Sequence, residues 1–433
     1  PRAFVSTVPT ALQRGGNFSQ TRIRPGANVL NFNLFDPLST RQQGSTFVRD
    51  PFPGAVIPAN RFNPISSRLI NLYPEANHPG DAVTGATNYR LSFKDPVSDD
   101  GYVIKMDHRF NDRHFMFARY SFRRDSVRRA REFRNDVNGD SESRDAPGLA
   151  LDHTWVANPT TVLNFRYGLS RFKIGAAIDN LGTDMVALGF PAAFVSQLLV
   201  QAIPAITISN GLTAIANVNK LNRGAEDAHT LRASVTRTMA AHSLRGGFEA
   251  RVLRSNSGSL GSNAAGAFGF DQVFTRGPNP QQNLVNAGHG LASFLLGFPS
   301  SGSVANNIAS AEQAPYYGFY VQDDWRVSRR LTLNFGLRYE WEGAYTERYD
   351  RLNRGFDFTT PSPISAAARE AYARNPIPEV PANQFAVLGG LLFANVGGQP
   401  RALADIDRNN IAPRFGAAYQ LTPKTILRGG YGF

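Results

Sequence analysis

Alternation of apolar and polar residues over segments of about ten residues constrains this chain more than any other feature. Between Leu331 and Tyr339 every second residue is large and apolar or aromatic, and the residues between them are small or polar. The segments 116–122, 163–170 and 244–252 alternate in the same way. Helical spacing would scatter such residues around an axis, so the pattern predicts β-strands with one apolar and one polar face.

The connections between these strands separate a soluble sandwich from a membrane barrel. Tight turns are predicted at 111–112, 157–159, 239–241, 328–330 and 422–423, and long polar stretches occupy 123–148, 173–227, 254–301 and 343–410. Short and long connections therefore alternate, as in an outer-membrane barrel with short periplasmic turns and long external loops. A soluble sandwich favours short connections throughout. The predicted fold class is all-β: a partial transmembrane antiparallel up-and-down β-barrel of about 12 strands, with long extracellular loops that carry short helices.

The tryptophans fit this prediction. Trp155 and Trp325 come just before short turns, whereas Trp341 lies ten residues beyond Leu331. Ten residues at about 3.3 Å each, tilted by about 40°, span roughly 25 Å, the height of an apolar band between two aromatic girdles. A transmembrane helix over 185–208, a stretch without charge, is the alternative, but glycine and proline interrupt it. We interpret that stretch as a folded, partly apolar external loop.

Residues 1–100 lack the alternation and are predicted to form a structured loop region with a short helix, whereas 101–433 form the partial barrel. Asn63 can cap that helix and Pro64 suits its first position. Two further short helices are predicted on loops, over 290–296 and 365–373.

Composition excludes several classes of function. There is no cysteine, so disulfide scaffolds, thiol nucleophiles and iron–sulfur clusters are excluded. No complete nucleotide-binding or serine-hydrolase motif occurs. His108 and His114 flank a predicted turn and are interpreted as solvent-exposed residues at strand ends rather than a metal-binding pair. The adjacent Asp323 and Asp324 would point to opposite faces of a strand, so they cannot act together on one substrate. We predict no enzymatic activity, no metal and no cofactor.

The net charge of +12 implies an anionic partner. Nucleic acid is a poor candidate, because no stacking aromatics are interleaved with the basic residues on a common face. The arginine-rich run after residue 119 has two interpretations. It is either a solvated charged loop or a contact for lipopolysaccharide phosphates or another anion, which would involve Arg124, Arg128, Arg129 and Arg131.

Several motifs resemble those of TonB-dependent receptors. The pair YYGFYVQDDW at 316–325 and LTLNFGLRYE at 331–340 closely resembles a barrel hairpin of that superfamily. Four further segments resemble the Oar-like subgroup of these receptors: IPANRFNP at 57–64, ERYDRL at 347–352, NIAPRFG at 410–416 and RGGYG at 428–432. The matches are spread over nearly the whole chain.

The resemblance implies more than the pattern does. It implies a cell outer-membrane location and TonB-dependent transport of a bulky solute, with the TonB complex of the inner membrane and outer-membrane lipids as partners. It also implies a signal peptide, an N-terminal domain, a TonB box and a plug, none of which is recognisable here, so the chain would be the middle of a larger barrel. The alternative is a passive porin-like channel or a structural or adhesive barrel.

Two faces follow from the alternation. The predicted lipid face includes Phe165, Tyr167, Phe248, Leu333, Phe335 and Leu337. The predicted lumen-lining residues on the solute path are Arg166, Arg232, Arg245, Glu249, Arg251, Asn334 and Arg338.

Overall fold

The computed structural model describes residues 2–129, 132–216, 221–258, 263–307 and 309–433. The strands of the first 93 residues are all short, and they are β1 (Arg2–Ser6), β2 (Arg22–Ile23), β3 (Leu30–Asn31), β4 (Arg41–Gln43), β5 (Thr46–Val48) and β6 (Tyr89–Phe93). After these, long strands alternate with short strands that lie in the connections between them. They are β7 (Val97–Asn111), β8 (His114–Arg129), β9 (Asp140–Asp145), β10 (Gly148–Asn158), β11 (Thr161–Ile178), β12 (Ala205–Ile208), β13 (Asn222–Met239), β14 (His242–Ser257), β15 (Ala267–Phe270), β16 (Ser301–Ser303), β17 (Ser310–Arg326), β18 (Leu331–Glu342), β19 (Thr346–Glu347), β20 (Asn353–Pro361), β21 (Leu388–Phe393), β22 (Asn410–Thr422) and β23 (Thr425–Gly432).

Five α-helices occur within the same described residues. They are α1 (Ala11–Arg14), α2 (Pro64–Leu69), α3 (Ala192–Val195), α4 (Gly290–Leu296) and α5 (Ser365–Ala373). Helices α4 and α5 have the bounds predicted from the sequence. Asn63 caps α2 as predicted, because its side chain accepts hydrogen bonds from the backbone N–H groups of Ile65 and Ser66.

One antiparallel sheet of 12 strands dominates the structure and confirms the predicted all-β fold and strand number. Its long strands follow the order β7-β8-β10-β11-β13-β14-β17-β18-β22-β23. Strands β9 and β10 both pair with β8 and with β11, so they form one line that is interrupted at 146–147. Pro147 lies in this interruption, where its missing N–H does not break the ladder.

Strand register gives the sheet two chemically different faces. Residues directly opposite each other in an antiparallel pair project to the same side. Phe165 lies opposite Ala233, which lies opposite Phe248, and Phe335 lies opposite Phe415. The six predicted lipid-face residues all fall on this apolar face, where Phe165 is 44% exposed and Leu337 47%. Large apolar side chains left this open are expected where lipid, and not water, is the neighbour.

The short and long connections lie at opposite ends of the sheet, as predicted. The tight turns between 111 and 114, 158 and 161, 239 and 242, 326 and 331, and 422 and 425 define the turn end. The long connections define the loop end.

Two predicted loops are shorter than expected. The loop over 173–227 narrows because β11 continues to Ile178 and β13 begins at Asn222, and the loop over 123–148 is reduced further. We expected a connection over 123–148, but β8 continues to Arg129 and β9 occupies 140–145, which leaves a loop of 130–139. The polar sequence concealed these strands because ion pairs, and not apolar contacts, join them. Arg123 pairs with Asp99, and Arg124 pairs with Asp145. The sheet therefore extends beyond its apolar band as a charged rim.

A separate hydrophobic core lies outside the main sheet and joins four parts of the chain. We call these parts together the cap: residues 2–93 and the described residues of 132–139, 179–216 and 263–303. Its buried side chains include Phe18, Leu69, Phe133, Ile206 and Leu295. Since each part contributes only some of these residues, the first hundred residues do not bury a core by themselves but share one with the loops.

Hydrogen bonds fix the helices of the cap to each other. The backbone N–H of Asn63 donates to Leu295 O at 2.8 Å, and Ser66 Oγ donates to Phe294 O at 2.5 Å. Helix α4 ends at Gly297, whose φ of +77° is the left-handed conformation that glycine adopts without strain. The side chain of Asn63 fills the space where a Cβ of residue 297 would project.

The uncharged stretch 185–208 forms no transmembrane helix, in agreement with its interpretation as an external loop. It contains only the four-residue α3 and the strand β12, and it buries Met185, Phe190 and Ile203 in the cap core. None of the helices in the described part of the chain is long and apolar enough to cross a bilayer.

Candidate functional site: an arginine-lined polar face

The polar face of the main sheet carries every residue that was predicted to line a solute path. Arg166 lies opposite Arg232, which lies opposite Glu249. Arg245 continues this face on β14, and its neighbour across β17 is Gln322. Alternation within the strands places the other members of the set here as well. Their part in solute passage stays a prediction.

Ion pairs connect several of these side chains across neighbouring strands. Arg166 Nε lies 2.6 Å from Asp152 Oδ2 on β10. Glu249 Oε1 accepts from Arg232 at 3.3 Å and from Arg251 at 2.8 Å. The carboxylate of Glu249 is therefore shared by two guanidinium groups, and the pairs hold the arginine side chains in fixed positions along the face.

Tyr316 extends this network to β18. The guanidinium carbon of Arg251 lies 5.0 Å from the centroid of the Tyr316 ring, a cation–π geometry. Arg338 donates to the Tyr316 hydroxyl and pairs with Glu340. A continuous series of polar contacts therefore runs from β14 across β17 to β18.

Asn334, the last predicted residue, belongs to a separate contact nearer the turn end. Its amide donates to Asp324 on β17.

Several arginines of this face have no carboxylate partner. Asp152, Glu249 and Glu340 each pair with at least one arginine. Four further arginines of the same face have no carboxylate partner within the described residues, and these are Arg119, Arg245, Arg414 and Arg428. The positive charge of these four side chains is not neutralised by a direct carboxylate contact, and such charge attracts anions.

Two of the unpaired arginines line one cavity. Arg245, Gln322, Gly336 and Arg414 form a single row across four strands. Neighbouring strands are about 4.8 Å apart, so about 14 Å separates the ends of the row. Gly336 has no side chain to fill the middle, and the resulting cavity of about 200 Å³ is lined by both arginines together with Arg338.

Four residues of this face were not predicted from the sequence, namely Arg414, Tyr316, Asp152 and Glu340. The alternation of 412–418 was a usable signal for Arg414, because it puts Arg414 on the face opposite Phe415. No sequence signal pairs Arg251 with Tyr316, since that contact depends on the register between β14 and β17.

The outer arginine run lies on the charged rim at the loop end. Arg124 makes a two-point contact with Asp145 at 2.7 and 2.9 Å. Arg128 lies 3.3 Å from Asp179, and Arg129 contacts Asp140 at 2.8 Å and Glu142 at 3.1 Å. Arg131, the fourth member of the run, lies outside the described residues. An external anion would therefore compete with the protein's own carboxylates for Arg124, Arg128 and Arg129.

Two histidines that are distant in sequence meet on the apolar face at the turn end. His114 Nδ1 lies 3.2 Å from His153 Nε2, and their rings stack beside Trp155. His108, considered with His114 in the sequence, is not part of this pair. Within the residues that the structure describes, no group of three or more metal-ligating side chains occurs.

The model of the outer membrane beta barrel domain matches residues 1–433. The chain belongs to this outer-membrane β-barrel family. The match confirms the predicted barrel and its location in the outer membrane, and it agrees with the TonB-dependent receptor-like barrel that the hairpin motif predicts. The Oar-like subgroup stays a prediction. No curated protein matches the chain.

Solved structures similar to this outer-membrane barrel are receptors and transporters. The alcaligin outer membrane receptor FauA of Bordetella pertussis is 8% identical, with a TM-score of 0.40, and 78% of this chain aligns with 35% of that chain. The outer membrane transporter YddB of Escherichia coli is 8% identical, with a TM-score of 0.39, over 93% and 38%. The ferric-catecholate import receptor Fiu of E. coli K12 is 13% identical, with a TM-score of 0.37, over 78% and 43%. The chain spans less than half the length of each.

Proposed function

We propose that this barrel belongs to an active transporter that takes up a bulky anionic solute across the outer membrane, driven by the TonB complex of the inner membrane. The observation that carries the anionic character is the row in which Arg245 and Arg414, both without a carboxylate partner among the described residues, line one cavity with Arg338. Planar guanidinium groups bind carboxylates and phosphates through two parallel hydrogen bonds. Arg166, Arg232, Glu249, Arg251 and Asn334 complete the proposed path.

Dependence on TonB rests on the hairpin motif and the other sequence resemblances. The competing function is passive diffusion through a porin-like channel, or a structural or adhesive role of the loops. An active transporter requires energy from the inner membrane, whereas a passive channel works without it. We propose no enzymatic step, because the polar face carries charge pairs rather than a nucleophile beside a base.

Uptake by cells that carry the full-length protein tests this proposal. Depletion of solutes from a rich medium is followed by mass spectrometry in cells with TonB and without it. We expect a set of anionic solutes whose uptake needs TonB and falls at least about tenfold in the double variant Arg245→Gln/Arg414→Gln, since two charge-assisted contacts are lost. Arg330→Gln, which removes a charge from a turn, is the matched control and should leave uptake unchanged.

Two outcomes would contradict the proposal. Uptake that persists without TonB would favour the passive channel. If the solutes whose uptake needs TonB are neutral and their uptake is unchanged in the double variant, active transport would be supported but the anionic solute path would be contradicted.

Lipopolysaccharide is a second proposed partner, at the charged rim. Arg124, Arg128 and Arg129 lie there beside Asp145, Asp179 and Asp140. Phosphate groups bind there only if they displace these carboxylates, so we expect this contact to be weaker than one made by unpaired arginines.

A further inference from the structure

The cap contains a small cavity that has no connection with the polar face of the sheet. It has a volume of about 200 Å³ and is lined from three parts of the chain, including Thr7, Gln13, Thr21, Arg22, Asn210 and His289. Drug-sized ligands occupy cavities of about 300–1,000 Å³, so this one suits a smaller molecule. No carboxylate is among its lining residues.

His289 is one of the buried residues that line the cavity and is only 3% exposed. Its Nδ1 accepts a hydrogen bond from the backbone N–H of Leu291 at 3.2 Å. Burial lowers the pKa of His289 to about 3, so the ring is neutral at physiological pH. A neutral imidazole that accepts at Nδ1 carries its hydrogen on Nε2. That N–H has no protein partner in the described part of the chain, and it is therefore a donor available to a ligand.

Several side-chain acceptor atoms around the cavity already accept a hydrogen bond within the protein. Thr10 and Gln13 accept from each other's backbone N–H groups. Thr21 Oγ1 accepts from the Gln13 amide, and Asn210 Oδ1 accepts from the backbone N–H of Gly290 at 2.9 Å. Three side-chain donors of the lining have no acceptor within the described residues: the hydroxyl of Thr21, the amide N–H₂ of Asn210 and the Nε2–H of His289. A ligand that fits must therefore supply acceptor oxygens.

Arg22 adds one positive charge to these donors. It is exposed, and no carboxylate pairs with it within the described residues. Its near neighbour Arg24 differs, because Arg24 lies 3.9 Å from Asp81 and does not line the cavity. The cavity thus combines the exposed cation of Arg22 with neutral donors, of which only His289 is buried.

We infer that this cavity binds a sugar acid, a small molecule with one carboxylate and several hydroxyl or ring oxygens. The carboxylate contacts the guanidinium of Arg22, and the remaining oxygens accept from His289 Nε2–H and from the Asn210 amide. A dianion without hydroxyls leaves these neutral donors unpaired, and a neutral sugar leaves the cation unpaired. The site is independent of the solute path, because none of its residues belongs to the main sheet.

Calorimetric titration of the full-length protein in detergent tests the site with three probes: glucuronate, glucose and inorganic phosphate. We expect saturable binding of glucuronate, and binding of glucose and of phosphate that is at least about tenfold weaker, since each lacks one of the two features. Arg22→Gln should weaken glucuronate binding at least about tenfold, whereas the matched control Arg24→Gln should leave it unchanged.

A second variant separates binding from folding. Asn210→Asp retains the Oδ1 acceptor that binds Gly290 N–H but replaces the free amide donors with a carboxylate oxygen, so it should abolish binding of glucuronate while the cap stays folded. Three results would overturn the inference: no saturable binding of glucuronate, phosphate binding as tight as that of glucuronate, or equal losses in Arg22→Gln and Arg24→Gln.

Discussion

Arginine introduced at successive positions of β18 tests both the orientation of the sheet and its depth in the membrane. On the apolar face of β17, Trp325 and Tyr317 are eight residues apart, and each stacks on an aromatic neighbour, His242 and Trp341. Eight residues at about 3.3 Å, tilted by about 40°, span roughly 20 Å between these two aromatic rows. The residue midway between them is Val321, which lies opposite Leu337.

This geometry changes one expectation. Phe335 is the midpoint of the alternating segment Leu331–Tyr339, so the sequence alone would place it near mid-membrane. Phe335 lies opposite Asp323 instead, one step closer to the row of Trp325 at the turn end. An arginine at 335 would also find a carboxylate directly across the strand pair.

Leu337→Arg should therefore cost about 2–4 kcal/mol of the free energy of unfolding, the value for arginine at the bilayer midplane. Phe335→Arg should cost less, about 1–2 kcal/mol, because it lies nearer the interface and opposite Asp323. Asn334→Arg, on the polar face, should change the free energy by no more than about 0.5 kcal/mol. The measurement is equilibrium unfolding by urea of the full-length protein in lipid vesicles, followed by tryptophan fluorescence.

Equal losses at 334 and 337 would mean that the two faces are assigned wrongly. A larger loss at 335 than at 337 would leave the faces correct but refute the depth worked out from the aromatic rows.

Three further predictions concern the loop end and the cap. Cysteine at Ser126 or Ser365 should react with a membrane-impermeant thiol reagent on intact cells, whereas cysteine at Asn111 should react only after lysis; the reverse pattern would invert the topology. Because the folded pKa of His289 is about 3 and the unfolded value is about 6.5, the unfolded state gains a proton first as pH falls through 6.5. The cap should therefore lose about 2 kcal/mol between pH 7 and pH 5, seen as faster amide hydrogen exchange in α4 after correction for intrinsic rates, and His289→Asn should remove this loss. Gly297→Ala places a Cβ at φ +77° and against Asn63, so it should lower the free energy of unfolding by about 1–2 kcal/mol, measured by thermal unfolding. An unchanged melting temperature would show that Asn63 moves aside without cost.

Local order was readable from the sequence. Period-two alternation depends on neighbouring residues only, so the strand from Leu331 onward and the two faces of the sheet could be predicted without a partner strand. The bounds of α4 and α5 were also local, because a few residues of helix-forming sequence lie between breaking or capping residues. The alternation of short and long connections then predicted the barrel, which the family match confirms.

Tertiary structure decided what depends on contacts between distant segments. The cap core brings Phe18 together with Phe133 and Leu295. Because hydrophobic contact is non-directional, no periodic pattern in the loop sequences predicts this core. The charged rim was taken for loop because its strands are joined by ion pairs such as Arg124 with Asp145, which look like ordinary polar sequence. The row of Arg245 and Arg414 exists only through the register of three successive strand pairs, and a shift of one residue in any pair would place the two arginines on opposite faces.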